Sequence, residues 1–284
     1  MPSPLTQDQL DAELSAAGYL ADDTLVTALY LALELGKPLL LEGVPGVGKT
    51  EVANRLAGIL DRQCIRLQCY EGIDAGKALY DWDHARQLLQ VRVAERGGSI
   101  DTSDLYAPEF LIEMPLLKAL RNSGTSILLI DEIDRADDAF EAFLLEFLSD
   151  FQISIPEIGT VKASQPVVTI LTSNRTRELH DALRRRCLYH WIDYPERARE
   201  RAIIELHAPG IAAEAAEHLI DAVAAVRRLP LIKKPGIAES IDWARAAGVL
   251  HRDGASWPDA LKRSLGLLVK DQEDFAVIEE AAVL

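Results

Sequence analysis

Cysteine is scarce in this chain, which has only Cys64, Cys69 and Cys187 among its 284 residues. Three scattered cysteines are too few for a disulfide framework or a four-ligand zinc site. The sequence also lacks any uninterrupted run of about 18 apolar residues, and it opens without the basic and apolar segments of a leader peptide. These absences predict reduced thiols, a cytoplasmic location and no stable membrane insertion.

Positive charge is in deficit, because 30 lysines and arginines stand against 45 acidic residues and leave a formal net charge of −15. Such a balance disfavours non-specific binding to nucleic acid or to an anionic membrane, although a local basic patch is compatible with it. The composition is otherwise globular, with 49% hydrophobic residues. We therefore expect protein partners and no nucleic acid.

Residues 39–50 read LLLEGVPGVGKT, in which an apolar run leads into the pattern G-x-x-x-x-G-K-[ST]. The run predicts a buried strand, and residues 51–60 have the apolar spacing of a helix. Glycines between the two let backbone N–H groups turn inward toward phosphate oxygens. Lys49 is expected to reach the β- and γ-phosphates, and Thr50 to offer its hydroxyl to Mg²⁺. The residues predicted to bind ATP here are Gly43, Val44, Pro45, Gly46, Val47, Gly48, Lys49, Thr50 and Glu51.

A second apolar run, residues 124–130, ends in the acidic stretch DEID. A carboxylate at the end of a strand beside a phosphate loop suits Mg²⁺, so Asp131 is predicted to bind the metal. Glu132 then stands where a carboxylate orients and polarises the attacking water. Taken alone, the stretch is more typical of a solvated helix start. Its pairing with the phosphate loop is what favours hydrolysis.

A third buried run, residues 167–171, is followed by Asn174. Parallel strands end at the same edge of a sheet, so Asn174 is expected near the other polar residues. Its amide is predicted to contact the γ-phosphate and the water held by Glu132. Capping of the next helix is an equally good explanation on local grounds.

Three consecutive arginines, Arg184, Arg185 and Arg186, precede the strand-like stretch CLYHWIDY. A run of charge is usually a solvated cluster. A guanidinium group can also stabilise the charge on a transferred phosphoryl group, and a neighbouring subunit can supply it. Because the chain is acidic overall, three adjacent arginines are compatible with a subunit interface.

Strands and helices alternate up to about residue 195, and alanine-rich helical segments follow. The alternation predicts an α/β fold, with a three-layer αβα nucleotide-binding core, a parallel sheet and hairpin insertions, over residues 1–195. A small all-α lid domain is expected over residues 196–284.

Taken together, GVPGVGKT, ILLIDEIDR, TSN and ALRRRC resemble the Walker A, Walker B, sensor 1 and arginine-finger motifs of P-loop AAA+ ATPases. The stretches LQCYEGID, EAFLLEFLSDFQISIPEIGT, SNRTRELHDALRRRCLYHWIDYP and KPGIAESIDWARA are similar to the MoxR branch. Within that branch they resemble the CoxD-like proteins associated with maturation of carbon monoxide dehydrogenase. The resemblance extends from about residue 19 to about residue 250.

This resemblance implies an ATPase that uses ATP and Mg²⁺ and forms a homo-oligomeric ring, typically a hexamer, with ATP between subunits. Hydrolysis would drive remodelling of a client, here a molybdenum hydroxylase whose metal centre needs completing, with a partner that carries a von Willebrand factor A (VWA) domain. The implied catalytic residues are Glu132, Asn174 as sensor 1, and Arg186 or, second, Arg185 as the finger. The implied phosphate and metal residues are Gly43, Gly48, Lys49, Thr50 and Asp131.

One departure from the family pattern lies at residues 236–240, where many relatives carry a sensor 2 arginine and this chain has none. Arg245 is a candidate substitute, although an exposed position on an amphipathic helix explains it slightly better. The departure motivates an alternative function, a nucleotide-switched assembly module with little intrinsic hydrolysis.

Overall fold

The computed structural model describes residues 5–94, 105–156 and 158–281. Two compact units are distinguished within the chain. The first comprises Met1–Leu10, Asp23–Glu42 and Ala53–His190, and the second comprises Asp11–Asp22, Gly43–Val52 and Trp191–Leu284.

The strands are β1 Leu39–Gly43, β2 Gln63–Gln68, β3 Tyr80–Trp82, β4 Leu111–Glu113, β5 Ser126–Asp131, β6 Gln152–Ile155, β7 Gly159–Lys162, β8 Val168–Ser173 and β9 Leu188–Ile192. The helices before β9 are α1 Gln7–Ala16, α2 Asp23–Leu35, α3 Lys49–Ile59, α4 Ala75–Leu79, α5 His84–Ala94, α6 Pro115–Arg121, α7 Asp138–Asp150 and α8 Asp181–Arg184. After β9 come α9 Arg197–His207, α10 Ala213–Arg228, α11 Ile237–Arg252, α12 Trp257–Arg263 and α13 Gln272–Ala281. Within the described ranges, no helix combines the length and apolar character needed to cross a bilayer.

Five strands form one sheet in the order β2-β5-β8-β1-β9. Strand β5 pairs in parallel with β2 and with β8, and β8 pairs in parallel with β1. Every residue of β1 and β5 is buried, which explains why their sequences are continuous apolar runs without alternation. Strand β2, at an edge, alternates buried and more exposed positions. The predicted parallel α/β sheet is confirmed.

Helix α7 supplies much of the core on one side of the sheet. Phe140, Leu144, Phe147 and Leu148 share one face of the helix and are buried in one cluster with β5 side chains. The helix begins after Asp137, whose carboxylate accepts the Phe140 N–H at 2.8 Å and caps the first turn.

Two small antiparallel pairs lie outside the main sheet. Strands β6 and β7 form a hairpin, in keeping with the hairpin insertions predicted for this part of the chain. Strands β3 and β4 form a second pair that the sequence did not predict, because each has three residues and they are far apart in the chain. Trp82 of β3 is half-buried, with its ring edge-on to those of Tyr80 and Tyr106. Trp82 therefore does not belong to the buried core.

The residues after β9 pack into a separate helical core. Its centre is Trp243 of α11, which is fully buried and donates its indole N–H to the Leu261 carbonyl at 3.0 Å. Ile204, Leu219 and Val226 join the same cluster. The C-terminal region is therefore helical, as predicted.

Candidate functional site

The phosphate loop joins β1 to α3, as the sequence predicts. Gly46 and Gly48 have φ angles of +76° and +88°, in the left-handed region that side chains disfavour. Turns of this kind let consecutive backbone N–H groups face one concavity that suits an anion. Helix α3 begins at Lys49, so the positive end of its dipole lies at the same place.

The Lys49 side chain is held against the loop, and only 6% of the residue is exposed. Its Nζ atom donates to the carbonyl oxygens of Gly43 and Val44, each at 2.8 Å. A positive charge fixed beside a group of N–H donors suits the phosphates of a nucleotide. Thr50 follows in the first turn of α3. The binding of phosphates by Lys49 and of Mg²⁺ by Thr50 stays a prediction.

Tyr19 packs against the phosphate loop, a contact that the sequence did not predict. Its ring lies 3.5 Å from the position that a Cβ atom on Gly48 would take. Burial raises the pKa of the Tyr19 phenol, although the charge of Arg199 opposes the rise. Arg199 of α9 also pairs with Asp22 at 2.9 Å. In the second unit, Tyr19 therefore lies against the loop at Gly48.

Asp131 ends β5 and is almost fully buried, with 2% of the residue exposed. Its Oδ1 atom accepts the Thr172 hydroxyl at 2.5 Å, and its Oδ2 atom pairs with the Arg66 guanidinium at 2.5 Å. The Thr172 oxygen also accepts the backbone N–H of Glu132 at 2.9 Å. A buried carboxylate requires such compensation of its charge. Thr172 and Arg66 are therefore part of the site.

The Glu132 side chain is held between two amides. Its Oε1 atom accepts Nδ2 of Asn174 at 3.3 Å, and its Oε2 atom accepts Nε2 of Gln68 at 3.0 Å. Arg135 pairs with Oε2 at 2.9 Å. The Glu132 backbone is left-handed, with φ of 54°, a conformation that is costly for a residue with a side chain and that often marks functional sites. The structure thus brings Asp131, Glu132 and Asn174 together, as predicted.

Asp134 fixes the segment that carries Asn174. Its buried carboxylate accepts the Asn174 N–H at 3.2 Å, the Thr176 N–H at 2.8 Å and the Thr176 hydroxyl at 2.7 Å. Asn174 does not cap the helix that follows, since the side chain accepting at the start of α8 is that of His180. The helix-cap explanation of Asn174 is therefore wrong.

Replacing Asp134 with alanine is expected to cost about 3 kcal/mol of unfolding free energy, because three hydrogen bonds to a buried charge are lost. It should also lower the ATPase kcat about tenfold or more, because Asn174 loses the contact that positions its amide at Glu132. Urea unfolding and steady-state phosphate release measure the two effects.

Asp137→Ala is the matched control for this substitution. It removes a carboxylate three residues away that only caps α7, so it should cost about 1 kcal/mol and leave kcat unchanged. Equal kcat values in the two variants would contradict the positioning role of Asp134.

Negative charge is concentrated at this edge of the sheet. Burial, together with the charges of Asp131, Asp134 and Glu132, raises the pKa of the Cys69 thiol to about 12. Within the described residues, no group of three or more histidine, cysteine or carboxylate side chains suits a tightly held metal. Mg²⁺ in nucleotide sites needs less, since one or two carboxylates act with phosphate oxygens. The Asp131 carboxylate therefore has the hard oxygen donors that Mg²⁺ prefers.

The three arginines differ in their contacts. Arg184 lies over the ring of Tyr189, 5.5 Å from its centroid. Arg186 donates from Nε to the Ser149 hydroxyl at 2.6 Å and from Nη1 to the Ala182 carbonyl at 3.1 Å. Arg185 is exposed, and its guanidinium contacts no partner among the residues the structure describes. None of the three touches the Glu132 carboxylate within that part of the chain.

Arg245, the candidate substitute for a sensor 2 arginine, is engaged elsewhere. Its Nε atom donates to the His207 carbonyl at 2.8 Å, and its guanidinium lies 3.8 Å from Asp242 on the same exposed helix surface. These contacts tie α11 to the end of α9. They support the interpretation that Arg245 is a surface residue.

Sequence reasoning missed four residues of the site: Arg66, Gln68, Thr172 and Tyr19. Three of them stand in or at the end of strands β2 and β8, and a polar residue at the end of a predicted strand was the available signal. Which strand lies beside β5 is not readable from the spacing, so Gln68 could not be connected with Glu132. Nothing in the sequence around Tyr19 indicated that it would lie near the phosphate loop.

Comparisons with known proteins show the family and the fold of this chain. The family model of the ATPase family associated with various cellular activities (AAA) matches residues 39–192, which is more than half of the chain. That range begins with β1 and ends with β9, and it includes the phosphate loop, Asp131, Glu132 and Asn174.

Solved structures with the same fold include a point mutant of RuvB from Thermotoga maritima, with 19% identity, a TM-score of 0.55, and coverage of 98% of this chain and 78% of that one. RuvB of the same organism, described as a Holliday junction branch migration motor, has 18% identity and a TM-score of 0.52, with coverage of 97% and 76%. A candidate ATPase of Cytophaga hutchinsonii has 15% identity and a TM-score of 0.51, with coverage of 98% and 92%. These likenesses establish the fold: a parallel sheet flanked by helices, followed by a helical region. The chain therefore belongs to the AAA family of ATPases.

Proposed function

We propose that this chain is a MoxR-type AAA+ ATPase that binds ATP and hydrolyses it with Mg²⁺ between the subunits of a hexameric ring. Hydrolysis remodels a client protein and completes its metal centre. The client is a molybdenum hydroxylase such as carbon monoxide dehydrogenase, and a protein with a VWA domain is the partner. Membership of the AAA family supports the ATPase, and the CoxD-like stretches of the sequence support the client.

The observation that carries the hydrolytic part is the placement of Glu132. Its carboxylate is held by the amides of Gln68 and Asn174, next to Asp131 at the carboxyl end of β5. Strand β1, from which the phosphate loop continues, is parallel to β8 in the same sheet, with Glu42 opposite Ser173. A carboxylate fixed in this way can orient a water molecule for attack on a γ-phosphate.

Each part of the site has a distinct task in this proposal. The phosphate loop and Lys49 bind the phosphates, and Thr50 with Asp131 would hold Mg²⁺. When bound, the metal supplies positive charge to the β- and γ-phosphate oxygens. Glu132 takes the proton of the attacking water. Residues 1–195 form the nucleotide-binding domain, and residues 196–284 form the lid.

An arginine from the neighbouring subunit completes the site. Arg185 suits this task better than Arg186, because its guanidinium is exposed and has no partner in the described ranges, whereas Arg186 is bonded within its own chain. A guanidinium delivered in this way stabilises the charge of the transferred phosphoryl group.

Steady-state turnover tests this function against the nucleotide-switched alternative. With Mg²⁺ and saturating ATP, the purified protein is expected to release many phosphates per subunit, and EDTA should stop the release. A switch would release at most about one phosphate per site, with or without the partner protein. A single turnover per site would reject the proposal of an ATPase that hydrolyses ATP continuously.

The client is tested by reconstitution. A molybdenum hydroxylase made without this chain is expected to gain activity when the chain, the VWA protein and ATP are added, and not when ATP is left out. The likeness to RuvB establishes the fold alone, and the net charge of −15 argues against a nucleic-acid substrate. Binding to DNA that weakens steeply with salt would contradict this assignment.

A further inference from the structure

The first turn of helix α11 is bonded directly to the phosphate loop. The backbone N–H groups of Ile237 and Ala238 both donate to the carbonyl oxygen of Gly46, at 2.9 Å and 3.2 Å. The first N–H groups of a helix have no partner inside the helix, so an outside acceptor satisfies them. Here the acceptor belongs to the loop that is proposed to hold the nucleotide.

No side chain separates the helix from the loop. A Cβ atom on Gly236 would lie 2.7 Å from the Cα atom of Gly46 and 2.8 Å from its carbonyl oxygen. Gly236 itself has φ of −84° and ψ of −173°, a conformation that any residue adopts. Close approach to Gly46, and not backbone freedom, is therefore what requires glycine at position 236.

The start of α11 is itself rigidly held. Glu239 accepts the Gly236 N–H at 3.0 Å, and the fully buried Ser240 donates its hydroxyl to the Gly236 carbonyl at 3.0 Å. Arg227 of α10 donates to the Pro235 carbonyl at 2.9 Å.

Arg227 connects this helix start with the rest of the helical core. It pairs with the buried carboxylate of Glu200 on α9 at 2.8 Å. Its guanidinium also lies 4.2 Å from the ring centroid of Tyr194. Gly46 is therefore connected with α9, α10 and α11 by a continuous series of hydrogen bonds, an ion pair and a ring contact.

We propose that the contact between Gly46 and the first turn of α11, which we call the loop latch, holds the phosphate loop ready for nucleotide and transmits nucleotide occupancy to the helices after β9. Gly236 is then a positioning residue for nucleotide binding. The loop can turn its N–H groups toward the phosphates while its Gly46 carbonyl is fixed on the opposite side. A backbone contact thus couples the phosphate loop to helix α11, although residues 236–240 contain no arginine.

The inference rests on the proposed ATPase function, and a glycine substitution tests it. In Gly236→Ala the new methyl group must separate the helix from Gly46, so the Kd for ADP and ATP is expected to rise about tenfold or more. Gly248→Ala is the matched control on the same helix, because a Cβ atom there meets nothing within 4 Å. It should bind nucleotide like the wild type.

A second pair of variants tests the hydrogen bonds from α11 to the Gly46 carbonyl. This pair tests the loop latch even if Gly236→Ala does not fold. Proline is well tolerated at the first position of a helix, so Ile237→Pro removes one donor to Gly46 without breaking α11. Ile237→Ala is its control, since it loses the side chain and keeps the N–H group. Only the proline variant is expected to weaken nucleotide binding.

Hydrogen exchange of residues 240–252 distinguishes the loop latch from a purely structural role of Gly236. A purely structural role would not change how nucleotide affects the exchange rate in α11. In the wild type, saturating nucleotide should slow exchange in α11, and in Gly236→Ala and Ile237→Pro this nucleotide-dependent change should vanish. Wild-type affinity and wild-type protection in both variants would overturn the loop latch. Failure of the wild type to bind nucleotide would instead reject the proposed function, and the latch with it.

Discussion

Replacing Glu132 with glutamine is expected to lower the rate of ATP hydrolysis by about a thousandfold while ATP remains bound. Glutamine keeps the length of the side chain, and its amide oxygen can still accept from Gln68 or Asn174. It cannot take a proton from the attacking water. The loss should therefore appear in kcat, measured by steady-state phosphate release, and not in the Kd for a fluorescent ATP analogue.

Asp138→Asn is the control for this substitution. It removes the same single charge from an exposed position in the same region, where the Asp138 side chain is 87% exposed. Its kcat should equal that of the wild type. Glu132→Gln turning over ATP at the wild-type rate would show that the carboxylate takes no part in the reaction. A slow variant that keeps ATP bound also serves as bait for the client in a pull-down.

The fold was predictable where burial alone shapes the sequence. Strands β1, β5 and β8 are buried on both faces, so their apolar runs identify them within two residues. The β3–β4 pair could not be found in this way, because its strands are short and are joined by about 30 residues of chain. Pairing between distant short segments leaves no periodic signal.

The site was predictable where chemistry restricts the residue type. The phosphate loop, Asp131 and Glu132 belong to contiguous motifs, so spacing and residue type were enough to propose roles for them. Gln68 approaches Glu132 only because β2 lies beside β5, and Gly236 approaches Gly46 only through the packing of α11. The residues next to Gln68 or Gly236 in the sequence do not indicate either of these contacts. For the same reason the order of preference between Arg185 and Arg186 changes once their contacts are known.

Replacing Arg185 with alanine is expected to lower the ATPase rate of the assembled protein by about a thousandfold. The guanidinium makes no hydrogen bond or ion pair with the described residues, so the melting temperature and the ATP affinity of isolated subunits should not change. Arg186→Ala is the matched control. It loses the hydrogen bonds to Ser149 and Ala182, which should cost about 1 kcal/mol of stability and leave turnover largely intact.

Mixing two inactive variants decides whether the arginine acts between subunits. An Arg185→Ala subunit has an intact Glu132 and lacks only the finger, whereas a Glu132→Gln subunit retains Arg185. When the two exchange into one ring, some sites gain both groups, so turnover should recover in the mixture although each variant alone is inactive. No recovery in rings that demonstrably contain both chains would place the arginine within its own subunit or outside the reaction. If instead Arg186→Ala alone were inactive, Arg185→Ala alone active, and turnover recovered only on mixing Arg186→Ala with Glu132→Gln, the finger would be Arg186.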